Sequence, residues 1–287
     1  MITEAPAAKT LSVSVVLHNS DLDLLNATLD SLAQSVREAR RKALLGAVAV
    51  KLRDNASDSE YRTRLQALVQ RRAPAWVQIM DVSLDLADDN PGFGGGHNLA
   101  QMRQADYRLI LNPDVVLESD ALSLGIRFLD EATTVAALNP HCIRPDGTRE
   151  YLCKRYPGLW VLLLRGFGGR TLRRRFDRLM HRYEYRDLPD TPTAVTLLSG
   201  ACLLCRGSAF TAVAGFDEGY FMYFEDFDLS LRLTNQGELH YLPTMKIQHH
   251  GGFAARKGWR HRRWFIVSAF RFFRRNGWRA PRAARQC

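Results

Sequence analysis

No apolar run in this 287-residue chain approaches the ~20 residues needed to span a bilayer. The longest, such as Trp160 to Leu164 and Trp264 to Val267, are far too short. The opening segment MITEAPAAKTLSVSVVLHNS lacks a basic stretch followed by an apolar one, so it does not read as a secretory signal and a cytosolic location is expected. Cysteine is scarce: Cys142, Cys153, Cys202, Cys205 and Cys287 make an odd set of five, which favours free thiols. Cys202 and Cys205 form a C-x-x-C, but the segment Leu197–Cys205 reads as a strand, on which residues three apart point to opposite faces. No second pair lies at zinc-finger spacing, so buried structural thiols are the better reading. Repeats and low-complexity linkers are missing too. With 46% hydrophobic and 24% charged residues, the composition excludes intrinsic disorder and fibrous architecture.

Acid is the scarcer charge, 30 Asp and Glu against 40 Lys and Arg, for a net charge of +10. The excess is concentrated. Residues 251–287 hold eleven Lys and Arg and no acid, and residues 165–186 hold eight Arg against Asp177 and Glu184. The remainder of the chain is net acidic. Two basic segments on an acidic body attract a polyanion or an anionic membrane face; a merely solvated tail is the alternative.

Strands alternate with helices through the first half. Leu11–Leu17, Ala47–Leu52, Trp76–Met80 and Tyr107–Leu111 read as strands. Helical spacing occupies Asp21–Arg41 through Leu22, Leu25, Leu29, Leu32 and Val36, then residues 60–71, and a short stretch near Asn98–Gln104. This order predicts right-handed βαβ crossovers and a mainly parallel sheet, an α/β nucleotide-binding layout to about residue 140. Ligands of such sheets sit beyond the carboxyl ends of the strands, where His18-Asn19, Asp54-Asn55 and Asn112-Pro113-Asp114 fall. Further strands are expected at Leu197–Leu204 and Leu239–Ile247.

The stretch Asn90–Asn98 (NPGFGGGHN) carries four glycines, which suits close approach of backbone to a phosphate. It is not a dinucleotide fingerprint, because the third glycine position is His97 and the loop follows the third strand; a structural glycine turn is the alternative. Asp114 ends an apolar strand, where a carboxylate holds either a hard divalent cation or a turn. Glu225, Asp226 and Asp228 enter a helix among Tyr220, Phe221, Tyr223, Phe224 and Phe227. Partial burial there raises a carboxylate pKa towards that of a useful base, while helix capping is the plainer role. His249 and His250 follow the strand ending at Ile247 and supply an imidazole for a metal.

In this order, VSVVLHN, RDNASD, NPGFGGGHN, LILNPD, LLSGACLLCRGSAF, GFDEGYFMYFEDFDLSLR and HHGG resemble the family 2 glycosyltransferases, and especially their bacterial rhamnosyltransferase-like branch, over residues 11–275. The resemblance implies a GT-A fold: a donor-binding half at about 1–140 fused to an acceptor-binding half at about 141–250, with 251–287 left as a basic amphipathic C-terminal helix and tail. It implies inverting, metal-dependent transfer of a sugar, rhamnose from dTDP-rhamnose, to a lipid-linked or surface polysaccharide, with Mg2+ or Mn2+. Asp226 would be the catalytic base, paired with Glu225 and supported by Asp228 and Arg232. Leu17, His18, Asn19, Asp54 and Asn55 would meet the nucleotide, Asp54 by accepting a hydrogen bond from the base. Asn90, Gly92, Phe93, Gly94, Asn98 and Asn112 would shape the diphosphate and sugar end. The family's Asp-x-Asp reads Asn112-Pro-Asp114 here, so a metal would lean on Asp114 and on His250, with His249 the alternative.

A helical projection of Arg262–Asn276 puts Phe265, Ile266, Ala269, Phe270, Phe272 and Phe273 on one broad face and Arg263, Arg271, Arg274 and Arg275 on the other. That pattern suits the inner face of the cytoplasmic membrane or docking onto the catalytic domain. Two rival functions are disfavoured. A sugar-phosphate nucleotidyltransferase wants a Gly-rich basic loop after the first strand, where His18-Asn19-Ser20 stands. A non-catalytic polyanion- or membrane-binding protein with a degenerate transferase domain is the remaining alternative, but no nucleic-acid partner is expected, because no helix-turn-helix, zinc finger or RNA-binding signature is present.

Overall fold

The computed structural model of the protein describes residues 8–100, 104–158, 160–162, 164, 174–251 and 259–278. Among them, strands β1 (Lys9–Leu17), β2 (Leu45–Asn55), β3 (Asp81–Ala87) and β4 (Tyr107–Leu111) form a parallel block in the order β3-β2-β1-β4. The sheet continues through β9 (Cys202–Arg206), β6 (Val135–Ile143), β10 (Glu238–His249) and β5 (Val115–Leu117). β9 runs antiparallel to both its neighbours, β6 and β10 are parallel, and β5 closes the path antiparallel. Two short strands, β7 (Arg149–Glu150) and β8 (Thr193–Ala194), pair with β6 and β10. The two expected halves therefore share one sheet.

Helix α1 (Leu22–Arg41) starts where the Asp21 carboxylate accepts from the amides of Asp23 and Leu24, and it ends on Arg40 and Arg41, complementing the helix dipole. Its stripe of Leu25, Leu29, Leu32 and Val36 is fully buried, as the spacing predicts. Helix α2 (Ser59–Trp76) is capped by Asp58. It overturns the strand expected at Trp76–Met80. Trp76 is instead the buried last residue of α2, its indole within reach of Asp30, and β3 is the alternating Val82, Leu84 and Leu86 that follows. The glycine-rich stretch also departs from expectation, forming helix α3 (Gly92–Leu99) rather than a loop leading to one. Glycine disfavours helix by ~1 kcal/mol per residue, so contacts rather than propensity hold it. The expected helix near Asn98–Gln104 reaches residues 101–103, outside the described residues. Leu197 lies ahead of β9, in an isolated bridge to Lys154.

Helix α4 (Ala121–Glu131) packs with α1 behind the sheet, while α5 (Asp177–Tyr183) and α6 (Gly207–Ala212) are short. Cys202 and Cys205 are buried in two different core clusters, on opposite faces of β9. Burial pushes the Cys205 thiol up to about 12. Cys287 lies outside the described residues.

Helix α7 (Glu225–Leu233) carries the acidic cluster, and α8 (Trp259–Asn276) lies against the loop before it. The projected apolar face of α8 divides. Phe272 and Phe273 are buried on Phe224 and Tyr156, whereas Ile266, Val267 and Phe270 are exposed, Phe270 to 66%. Arg271 and Arg275 turn inward to Asp217. No helix among the described residues is long and apolar enough to cross a membrane.

Candidate active site

Sheet register places the polar strand ends level with one another. Leu17 pairs with Asp54 and Asn55 with Ala87, so the turns after β1, β2 and β3 share one rim. Leu17 itself is in the core and offers only backbone. His18 is exposed. Its Nδ1 lies 2.8 Å from the carbonyl oxygen of Asn55, which can only accept, so Nδ1 is the donor of that bond. Asn19 sits at φ 47°, its amide donating to Ser57 Oγ. Asp54, expected to accept from a base, already has partners within the protein. It is fully buried, accepts from the Ser57 amide and hydroxyl, and pairs with Arg62 Nε at 2.9 Å. A carboxylate taken from water needs such partners, and here they shape the β2–α2 turn.

Helix α3 is wedged between this rim and the aromatic loop before α7. Asn90 Oδ1 accepts from the Gly92 amide, and Phe93 N donates to Phe221 O at 3.0 Å. Gly92 has φ 82°, and a Cβ there would lie 2.0 Å from Phe221 O. At Gly96 a Cβ would lie 2.7 Å from Asn55 Nδ2. Asn55 in turn donates to Gly92 O, and Gly94 packs on Phe216. Asn98, expected at the donor, clamps the loop instead: its amide bonds Phe216 O and Glu218, and its oxygen accepts from Phe216 N. The stretches 90–98 and 216–228 thus share one wall.

His97 is buried behind α3 between Phe93 and Phe216, with Nδ1 2.8 Å from Ser14 Oγ. Burial pushes its pKa down to about 3 from the ordinary 6.5. The unfolded chain takes up that proton near pH 6.5 and the folded chain does not until about pH 3. The stability supplied by the neutral ring is therefore present above pH 6.5 and is lost as pH falls towards 3. Between about pH 7.5 and pH 5 this amounts to ~2 kcal/mol. Urea unfolding of His97→Gln should show a pH-dependent loss smaller than the parent's by about that amount; parallel curves would mean that His97 protonates in place.

A second constellation forms where β4, β5, β7 and β10 meet. His249 pairs with Val115 in the sheet, and Glu150 with Cys142. His249 Nε2 lies 3.3 Å from Asp114 Oδ1, its Nδ1 lies 3.4 Å from Glu150 Oε1, and Asn112 Nδ2 is 3.4 Å from the same ring. Burial opposes charge on this imidazole, but hydrogen bonds and charge from Asp114 and Glu150 outweigh it and raise its pKa to about 9. The expectation of His250 at Asp114 is corrected. Strand alternation turns its side chain to Gln248, and only its backbone amide reaches Asp114, at the carbonyl oxygen. Asp114 Oδ1 and the His249 Nε2 that faces it are a hard oxygen and an imidazole nitrogen, donors that suit Mg2+ or Mn2+, while Glu150 stands at the other ring nitrogen. Cys142 is close to Glu150 and His249, but burial pushes its thiol up to about 12, so it stays protonated.

Glu150 also lines a cleft of about 420 Å³ together with Asp226, Ser199 and Phe227. Asp226 Oδ2 accepts from Gly200 N at 3.3 Å, and Oδ1 from Phe227 N. Glu225 is buried; burial first, and the adjacent Asp226 charge second, push its pKa well above the usual carboxylate range. Tyr223 and Phe224, at φ 71° and 67°, hold the turn into α7 in a left-handed conformation rare for aromatic residues. Asp228 is paired with Arg232 at 2.7 Å and supports the helix.

No family model matches the chain. Rhamnosyltransferase WbbL of Escherichia coli (strain K12) is 32% identical over 197 residues, covering 64% of this chain and 70% of that protein. The chain belongs to the rhamnosyltransferase-like branch of the family 2 glycosyltransferases. The N-acetylglucosaminyl-diphospho-decaprenol L-rhamnosyltransferase of Mycobacterium tuberculosis (strain ATCC 25618 / H37Rv) is 35% identical over 148 residues, half of this chain; the chain spans 47% of that relative. Among solved structures, mannosyltransferase PcManGT from Pyrobaculum calidifontis, in complex with GDP-Man and Mn2+, superposes with TM-score 0.63 at 16% identity over 97% of this chain and 67% of that one. GalNAc-T7 with UDP, GalNAc and Mn2+ gives TM-score 0.59 at 15% identity over 84% and 43%. These likenesses show the GT-A fold. In this glycosyltransferase the sequence did not point to Glu150, and it put His250 rather than His249 beside Asp114. Glu150 sits in no motif, and only the pairing of β7 with β6 brings it to His249.

Proposed function

We propose that this glycosyltransferase moves L-rhamnose from dTDP-rhamnose to a glycan acceptor, lipid-linked or at a growing surface polysaccharide, with inversion at the anomeric carbon. One observation carries the reading: Glu150 lines the cleft that holds Asp226, and its Oε1 lies 3.4 Å from His249, the imidazole that faces Asp114. The two rhamnosyltransferase relatives support the sugar, and the Mn2+ bound in the two superposed structures supports a metal. Asp114 and His249 would hold Mg2+ or Mn2+, which supplies charge neutralisation for a departing diphosphate.

The chain's own part is proton transfer and positioning. An acceptor hydroxyl in the cleft gives its proton to the Asp226 carboxylate as its oxygen forms the new bond to C1 of the sugar. The C1–oxygen bond to the diphosphate breaks, and the electron pair leaves with that oxygen. Gly200 N and Phe227 N orient the base. Glu225, favouring its protonated form, adds no second full charge beside it. One carboxylate base suffices for direct displacement, unlike the pair used by retaining glycosidases. The exposed apolar residues of α8, with Arg262, Arg263 and Arg274, would rest on the anionic inner face of the cytoplasmic membrane, where a lipid-linked acceptor is presented.

A thermal-shift series of dTDP-, UDP- and GDP-sugars with and without Mn2+ tests the reading. A ligand at a hundred times its dissociation constant stabilises by ~2.7 kcal/mol, which raises Tm by roughly 5–10 °C in a chain of this size. dTDP-rhamnose with Mn2+ should give the largest shift. A larger shift from another nucleotide sugar would overturn the donor, and no shift or hydrolysis with any of them would favour a non-catalytic polyanion binder.

A further inference from the structure

We propose that Arg271 and Arg275 of α8 are positioning residues for the transfer step: between Asp217 and Asp228 they fasten the two ends of the segment that carries Asp226, and so hold that carboxylate in the cleft. This rests on the reading of Asp226 as the base. Arg271 Nη2 donates to both carboxylate oxygens of Asp217, at 2.9 and 3.0 Å, and Arg275 Nη1 bonds the same carboxylate. Arg275 Nε also lies 3.7 Å from Asp228 Oδ1, while the other oxygen of Asp228 is held by Arg232. One guanidinium thus bridges a carboxylate ahead of Asp226 and another just beyond it on α7.

The segment needs fastening. Tyr223 and Phe224, immediately before α7, both sit in the left-handed region. Aromatic residues keep that conformation only where their surroundings over-determine it. The inner face of α8 supplies those surroundings. Tyr223 Oη is 3.1 Å from His261 Nδ1, Ser268 Oγ donates to Met222 O at 2.8 Å, and the Phe224 ring lies 5.3 Å from those of Phe265 and Phe272. Burial opposes charge on Asp217, but the Gly219 amide, Arg271 and Arg275 outweigh it and hold its carboxyl below the usual range. Gly219 leaves room for the clamp, since a Cβ there would lie 2.1 Å from Arg271 Cζ.

Exposure decides what the clamp is for. The Arg271 and Arg275 side chains are 44% and 48% exposed, and ion pairs so well solvated contribute little to global stability. What these two restrict is the path of the chain between Asp217 and Asp228. Displacing a reacting group by about 1 Å costs ~10²-fold in rate, so a loosened clamp registers in turnover before it registers in unfolding.

Two measurements on the full chain test this: steady-state transfer from dTDP-rhamnose to a short-alkyl N-acetylglucosaminyl diphosphate, and amide hydrogen exchange, which needs no turnover. Arg275→Gln, which releases both ends, should lower kcat roughly 10–100-fold, and Arg271→Gln roughly 10-fold, with KM for dTDP-rhamnose at the parental value. Tm should stay within roughly 3 °C of the parent. Amides of residues 220–224 should exchange faster in both variants while those of β1 do not. Arg271→Lys should regain part of the rate. Gly219→Ala displaces the guanidinium without removing its charge, so it should match Arg271→Gln and add nothing to it when the two are combined. Parental exchange in residues 220–224, or parental kcat in the Arg271→Gln, Arg275→Gln double variant, would overturn the proposal. So would a loss of kcat that tracks Tm and that Arg271→Lys does not relieve. The two readings fail separately: a fully active Asp226→Asn sinks the base assignment, whereas an inactive Asp226→Asn beside a fully active double variant sinks the positioning role alone.

Discussion

Asp226→Asn should lower the rate of sugar transfer ~10²–10⁴-fold, the range that a positioned general base supplies. The substitution keeps shape and one of the two acceptor oxygens, so a single contact, from Phe227 N or Gly200 N, is lost, and the fold and donor affinity should stay close to parental values. What it removes is the capacity to take a proton. The loss should appear in kcat and kcat/KM together, the pattern of an interaction made only in the transition state. Glu225→Gln is the internal contrast. Its side chain is buried and favours the protonated form, so exchanging acid for amide changes little charge and turnover should stay within about tenfold of the parent. If Asp226→Asn transfers sugar at the parental rate, or if Glu225→Gln is the more damaging of the two, the base is assigned wrongly.

Gly92→Ala should be the most destabilising small substitution in the donor-side wall. Two costs combine: a left-handed φ of 82°, and a new Cβ 2.0 Å from the Phe221 carbonyl oxygen. That oxygen belongs to backbone and is itself bonded by Phe93 N, so it has no side-chain freedom with which to retreat. The expected loss is ~3–5 kcal/mol in chemical unfolding, with Tm lower by roughly 10 °C. Gly147→Ala separates the two costs. Its φ is 79° and nothing lies within 4 Å of a Cβ there, so only the strain of ~1–2 kcal/mol should appear. Equal losses at both positions would mean that α3 is not locked against the loop that presents Asp226. A larger loss at Gly92, accompanied by reduced turnover, would tie donor wall and base into one unit.

Placement of the candidate residues was legible in the sequence where the pattern is local. Asp114 at a strand end and Glu225-Asp226 at a helix start are short-range patterns, and the structure places each at such a boundary. Placement was not legible where neighbours come from afar. Trp76–Met80 looked like a strand because it is apolar and aromatic, but burial of Trp76 against α1 continues the helix. The glycines of α3 argued for a turn, yet close contact with Phe221 and Asn55 admits no Cβ and makes a helix of them. Asn98 carried the right residue type for a ligand and turned out to clamp Phe216.

The order of strands and helices, the buried stripe of α1, the opposed thiols of β9 and the family itself were determined by the sequence alone, because periodicity and short motifs encode them within a few residues. Which histidine faces Asp114, the arrival of Glu150 beside that histidine and the pairing of Asp54 with Arg62 were decided only by tertiary structure. Each depends on strand register or on packing between distant segments. A shift of one residue in a strand carries a side chain to the opposite face, and nothing within a local window of sequence specifies that register.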